Sequence, residues 1–432
     1  MESAKGGWYS ARRSGRNTMT ANQRVHRYLT WQHRWTGLLM AAFLTVVCLT
    51  GSLLVYTPEI ERIINPELFA KPQTGLKQLE MGEIAGRVEA AESKIRVGYF
   101  FRNIPDTVVV RVLPRTNPTT GQPYKVDFDH VYVDPWTGKV LAHRRNGDLS
   151  QGKINLMPFI RRIHTDLVMG ETGALVLGYV ALVWTIDCFV GFYLTLPVTE
   201  GRFWRRWGTA WWIKWRANGF RVNFDLHRAG GLWFWPLLFV FAWSSVYFEL
   251  PTLYDKVMKA ATRYQSDFES IARIPMHLNE HPKLTWQAAE MHAMQVMRQE
   301  AQNRDLHILR PGLLAYIAEY GVYSYGVQTD QDFRASNPDT GIWIDGDTGE
   351  LKRVFLPRAP RAGNTFTYLI VGLHFADYKG WESYRFVEFM VGLVVTMLTV
   401  TGVYIWWKKR LVRIMTTRRR KVPEPIAENA RS

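Results

Sequence analysis

Apolar residues gather in four long runs, separated by two regions in which the pattern changes period several times. The runs are Trp35–Tyr56, Thr172–Thr199 (interrupted only by Asp187), Ala229–Phe248 and Phe389–Trp407. Each is close to the roughly 20 residues that a helix needs to cross a bilayer. In the first intervening region, Met81–Arg96 has helical spacing, Thr107–Leu113 and His130–Val133 read as strands, and Asp134 to Gly138 turns back into Lys139–Leu141. The second region shows the same order. A helical stretch at Leu284–Arg298 precedes strand-like Val322–Thr329, and Ile342–Asp345 turns at Gly346–Gly349 into Glu350–Phe355.

The echo has a measurable period. His33 and His227 are 194 positions apart, His164 and His374 are 210 apart, and the turn residues Asp134 and Asp345 are 211 apart. Gly170 and Gly380 each follow their histidine by six, and Val190-Gly-Phe-Tyr-Leu matches Thr401-Gly-Val-Tyr-Ile. The expectation is a tandem repeat of span, outer α+β domain and span. Both copies start on the same side, so a pseudo-twofold axis along the membrane normal should relate them.

Charge fixes the orientation. The net charge is +16, but residues 1–34, 197–228 and 408–432 hold 23 Lys and Arg against five acidic residues, while the rest holds 31 against 33. Four spans would put those three segments on one side, which is the positive-inside pattern. The basic excess therefore marks a membrane topology and no nucleic-acid partner. Both termini and the 198–226 loop are expected in the cytoplasm, with the bilayer as the chain's solvent. Trp35–Tyr56 is longer than a signal peptide core and no small-residue cleavage site follows it, so it reads as a retained anchor. Cys48 and Cys188 both lie inside runs, leaving the outer regions without a disulfide framework.

Several motifs carry a resemblance. They are His33-Arg34-Trp-Thr-Gly37 at the first run, Asp225-Leu-His-Arg228 with Gly231 at the third, Leu373-His-Phe375 before the fourth, and the two Asp-x-x-Thr-Gly turns. Together they resemble the PepSY-associated transmembrane family of bacterial inner-membrane proteins, which includes ferric-siderophore reductases and iron-regulated membrane proteins. The resemblance implies a multi-pass inner-membrane protein with PepSY-like periplasmic domains, a b-type haem protein passing electrons outward to ferric complexes. The expected fold is membrane α-helical: a four-helix transmembrane bundle built from a tandem repeat, with two periplasmic α+β domains. The expected segments are a basic tail 1–30, span 31–57, outer domain 58–163, span 164–197, basic loop 198–226, span 227–250, outer domain 251–373, span 374–407 and basic tail 408–432.

The histidines support haem on their own account. A single histidine near a membrane interface reads as a tolerated polar residue; four at repeat-related positions need another reason. Topology puts His33 and His227 at the cytoplasmic ends of their spans, and His164 and His374 at the outer ends. A planar macrocycle on the pseudo-twofold axis could take one axial imidazole from each half, giving two stacked haems. Zinc would want three or four ligands around one point, which two pairs at opposite faces do not supply. No Cys-x-x-Cys-His occurs, so the expectation is two non-covalent b haems. Gly37 and Gly231 are expected to flatten the helix face where a ring approaches, and Arg34 and Arg228 to meet propionates. One difficulty comes with this: histidines at opposite ends of such helices could stand up to ~35 Å apart.

The other singled-out groups read more simply. Asp187 is the one carboxylate within a run, placed near the inner interface by helical rise and a candidate for proton or quinol chemistry. Arg385 and Glu388, three apart, are expected to pair with each other. Arg161, Arg162, Lys379 and Trp381 flank the outer histidines and suit an anionic, partly aromatic iron chelate. Two functions compete. One is a ferric-siderophore reductase fed by quinol or a cytoplasmic reductase. The other is a haem-free accessory protein whose outer domains bind a peptide, protease or transport substrate.

Overall fold

The computed structural model describes residues 20–73, 75–198, 201–266, 276–358 and 361–421. Parts of both expected basic tails, 1–19 and 422–432, lie outside them. Among the described residues, three helices are long and apolar enough to cross a membrane: α1 (Ala21–Leu54), α5 (Glu171–Thr195) and the Tyr384–Thr416 part of α12 (Tyr384–Lys421). The helix α1 packs along both α12 and α5.

The third apolar run departs from expectation. It is two helices, α7 (Gly219–Trp233) and α8 (Trp235–Glu249), bent by 68° at Phe234, and makes a fourth span only if the pair is taken as one. Pro236 explains the break. It has no N–H to give to Leu232 one turn back, and its ring crowds that carbonyl, so it belongs in the first turn of a new helix.

The outer histidines depart too. His164 lies in the last turn of a separate short helix, α4 (Leu156–Asp166), and His374 ends another, α11 (Ala362–His374). Neither opens a span. The chain reverses after each: Leu167, Val168 and Gly170 all have positive φ, at 52°, 60° and 61°, and Ala376 and Gly380 do the same after α11. Such values are uncommon outside glycine and close the helix abruptly.

The two outer regions do not sit as separate sheets. Strands β1 (Ile95–Phe101), β2 (Val108–Pro114), β3 (His130–Val133) and β4 (Val140–Arg144) form one meander, and β5 (Ile308–Ile317), β6 (Val322–Thr329), β7 (Thr340–Asp345) and β8 (Leu351–Phe355) form its copy. The meanders join edge to edge, β1 against β5 antiparallel, in a single eight-stranded sheet ordered β4-β3-β2-β1-β5-β6-β7-β8. A free edge strand would expose unpaired N–H and C=O groups, and the join removes one from each half. Helices α3 (Met81–Ala91) and α10 (Trp286–Asn303) share one core with both meanders, including Ile84, Val97, Phe100, Ala293, Leu314 and Ile342. Glu290 of α10 accepts from the Met81 and Gly82 N–H groups at 3.2 and 2.6 Å, so a carboxylate of one half satisfies helix-start donors of the other. The turns match the repeat: Asp134 Oδ1 accepts from Trp136 and Thr137 N–H, and Asp345 Oδ1 from Asp347 and Thr348 N–H.

Candidate functional site

The four singled-out histidines meet in two pairs across the halves. His33 of α1 faces His227 of α7 with ring centres 6.1 Å apart and planes at 61°. His164 of α4 faces His374 of α11 at 6.5 Å and again 61°.

Each imidazole is oriented from within its own half. His33 Nδ1 lies 2.8 Å from Asp187 Oδ2 on α5, and His227 Nδ1 lies 2.9 Å from the Leu398 carbonyl on α12. His164 Nδ1 is 2.8 Å from the Val47 carbonyl on α1, and His374 Nδ1 is 2.7 Å from Ser244 Oγ on α8. Carboxylates and carbonyls only accept, so the first three rings carry Nδ1–H. The Ser244 hydroxyl donates to the Val240 carbonyl at 2.6 Å and therefore accepts from His374. In its neutral form each of the four rings then keeps an Nε2 lone pair. Among the described residues, none of the four Nε2 atoms makes a hydrogen bond.

That state is the one in which histidine ligates a metal, with Nδ1–H tied to a fixed acceptor and Nε2 available. The spacing also fits. A metal ion shared by two imidazoles would lie about 2 Å from each ligating nitrogen, and such a pair would have its ring centres about 6 Å apart. Both pairs have that separation, so these residues could hold two bis-imidazole haems.

Three further glycines make room for the imidazole rings themselves. A Cβ on Gly191 would stand 3.5 Å from His33 Cε1, one on Gly402 3.1 Å from His227 Cε1, and one on Gly51 2.9 Å from His164 Cε1. Gly37 and Gly231 have no atom within 4 Å of the same point and face open space. The matched motifs at Val190 and Thr401 contain Gly191 and Gly402, so the repeat itself carried this signal.

The levels of the two pairs are closer than the span lengths suggest. The outer pair docks against α1 at Val47, 14 residues along from His33. At 1.5 Å per residue that is about 21 Å, well inside the ~35 Å worst case. The short helices α4 and α11 account for the difference, because their ends dip to meet the spans. Met40, Leu44, Leu238, Ala242, Val391 and Val395 pack in the layer between.

The arginines divide. Arg228 donates through Nε to the Ala210 carbonyl and through Nη2 to the Thr209 and Trp212 carbonyls, and Nη2 pairs with Asp225 at 2.8 Å, fastening the basic loop. Arg34 differs, because its Nε is buried with no hydrogen-bond partner among the described residues. The pair expected within α12 does not form. Arg385 does not pair with Glu388; both its terminal nitrogens reach Glu59, at 2.7 and 2.8 Å, and one also reaches the Val55 carbonyl. The planar fork of arginine favours that two-point contact over a stretched contact within one helix. Glu388 Oε2 is left buried without a partner among the described residues.

The residues singled out for substrate lie in separate local settings. Arg161 and Arg162 are on α4, the latter 3.9 Å from Asp166. Lys379 and Trp381 lie on the loop after α11, where the Lys379 backbone N–H donates to the Phe333 carbonyl and the Trp381 ring lies tilted against Tyr378 at 5.0 Å. Two cavities of about 350 and 340 Å³ open in the outer region. The first is lined by Glu89, Arg96, His281, Trp286 and Tyr316, among others, and the second by Phe128 and His143. Neither is lined by the four paired histidines or by these candidates.

The model of the PepSY-associated TM region matches residues 30–409. The chain belongs to this family. As a member of the PepSY-associated TM family it is a membrane protein, in keeping with its apolar helices. The match spans both histidine pairs and the whole eight-stranded sheet. No curated protein matches the chain.

Proposed function

We propose that this PepSY-associated TM protein is a di-haem electron-transfer protein of the bacterial inner membrane that reduces ferric chelates, siderophores among them, in the periplasm. One observation carries the reading: two imidazole pairs at ligating distance, each ring with its Nδ1–H anchored and its Nε2 free. When bound, haem would supply one-electron redox chemistry at two levels of the membrane. The chain's own residues hold and orient it. His33 and His227 hold the inner haem, and His164 and His374 the outer. Arg34, with its unpartnered Nε, is the residue suited to a propionate.

Several features support the placement. Exposed Trp31, Trp35, Trp204, Trp212 and Trp215 cluster with the basic segments, as an interfacial belt on the cytoplasmic side would. The sheet and its helices then lie in the periplasm, and electrons enter from quinol or a cytoplasmic reductase. Reduction weakens a ferric chelate because hard oxygen donors favour the more highly charged ion. The outer pair is the one a periplasmic chelate could approach, past Arg161 and Arg162 on one side and Lys379 and Trp381 on the other.

The test is a pyridine haemochrome assay and a dithionite difference spectrum on purified protein. Two low-spin b haems per chain are expected. His374→Ala should abolish reduction of external ferric chelate while the inner haem still accepts electrons. A wild-type rate in that variant refutes the outward path. A colourless protein would favour the accessory reading, for which the two outer cavities offer binding space.

A further inference from the structure

The four Nδ1 acceptors are not equivalent. Three are neutral: the Val47 and Leu398 carbonyls and the Ser244 hydroxyl. The fourth is Asp187, a carboxylate only 6% exposed, on the His33 ring of the inner pair. Its remaining partners are Thr36 Oγ1 at 3.0 Å and Gln32 Nε2 at 3.4 Å, which orient it without cancelling its charge. Among the described residues no lysine or arginine pairs with it. The repeat does not require this, because the matching position in the second half offers the backbone carbonyl of Leu398.

A carboxylate on Nδ1–H draws the proton toward itself and leaves the ring more basic at Nε2. A more basic, more anionic ligand stabilises the oxidised metal more than the reduced one, and a buried negative charge nearby acts in the same sense. A neutral carbonyl or hydroxyl does much less. The effect therefore falls on one of the two redox levels alone.

We infer that Asp187 is a positioning residue that sets the direction of electron flow, lowering the reduction potential of the inner centre below that of the outer one through His33. The inference rests on the haem reading above and deepens it. Transfer between the centres then runs downhill from the cytoplasmic to the periplasmic level. With haem bound, one electron would leave the inner centre for each that reaches the outer, and His33 would keep its Nδ1–H throughout.

Potentiometric titration of the haem-loaded protein, followed spectroscopically, tests this. Wild type should titrate in two one-electron waves, and the lower should be the one lost in His227→Ala. Asp187→Asn keeps an oxygen that can accept from Nδ1–H but removes the charge. It should favour reduction of the inner centre about tenfold, a rise of about 59 mV for a one-electron couple, and leave the outer wave in place. A merely structural role would leave both potentials unmoved in this isosteric variant. If Asp187→Asn fails to retain the inner haem, the order of the wild-type waves decides. The inference is overturned if the inner wave is the higher, or if Asp187→Asn moves neither wave or both equally. Wild type without haem would instead refute the underlying reading, a separate and visible outcome.

Discussion

The two halves of the chain solve the same placement problem with different helices. In the first, α1 runs unbroken for 34 residues and carries His33 along with it. In the second, the equivalent stretch breaks at Phe234 and turns by 68°, so His227 sits on a helix that points elsewhere. The imidazoles still meet at 6.1 Å. Symmetry in this molecule is therefore kept where the rings face each other and relaxed in the scaffold behind them. The same holds for the acceptors: a side-chain carboxylate in one half stands where the other has a main-chain carbonyl.

This comparison can be broken at the glycines. Gly402 approaches His227 more closely than Gly191 approaches His33, 3.1 against 3.5 Å at the Cβ position. Leucine at Gly402 should drive the ring aside and halve the haem content, measured by pyridine haemochrome. Leucine at Gly191 should do so less completely. Equal effects would mean that the two helices yield equally, and the difference in approach would carry no weight.

A smaller effect is expected at the seam of the sheet. Phe100 is fully buried where β1 meets β5, opposite Leu314. Phe100→Ala should cost about 3–5 kcal/mol, the usual range for a large aromatic lost from a packed core. Thermal or denaturant unfolding in detergent measures it, and hydrogen exchange should show β1 and β5 loosening together. Loosening of one meander alone would mean that each half folds by itself.

The smallest concerns the tie between Glu59 and Arg385. The counterparts of Glu59 and Arg385 at the repeat offsets are uncharged, so one diagonal of the molecule is pinned and the other is not. The Arg385 guanidinium holds the Glu59 carboxyl below its usual range. A lowered carboxylate stabilises the fold above its ordinary titration near pH ~4 and loses that contribution as pH falls through the folded value. Glu59 is half exposed, so no more than about 1 kcal/mol is at stake. Wild type should lose that increment on acidification or in high salt, and Glu59→Gln should not.

How far the sequence reaches follows from which signals are local. The histidine pairing was legible because a repeat offset and a charge asymmetry together specify which residues share a level. The bend at Pro236 was not, since hydropathy counts length and is blind to direction, and proline is tolerated in apolar helices. Most instructive are β1 and β5, the two strands missed by pattern. Gly98 sits at a register shift in β1, and Pro311-Gly312 at another in β5, so each interrupts the alternation and reads as a breaker. Those two strands are the ones that join the halves. Asp187 stood out as a lone carboxylate, but nothing in the 154 positions between it and His33 marks them as partners.

That each half orients its own rings while each pair needs both halves has a consequence for how the protein is made. His164 is in place once the first half has folded, yet its partner is the last residue of α11, residue 374 of 432. His33 likewise waits for residue 227. A nascent chain therefore presents a lone His33 until residue 227 is made and a lone His164 until residue 374 is made, and the outer pair closes only late in the chain. Completion of the outer pair reports that the chain has been made at least through α11. A chain truncated before α11 would never complete the outer pair, giving a cell a chemical criterion for telling finished molecules from fragments.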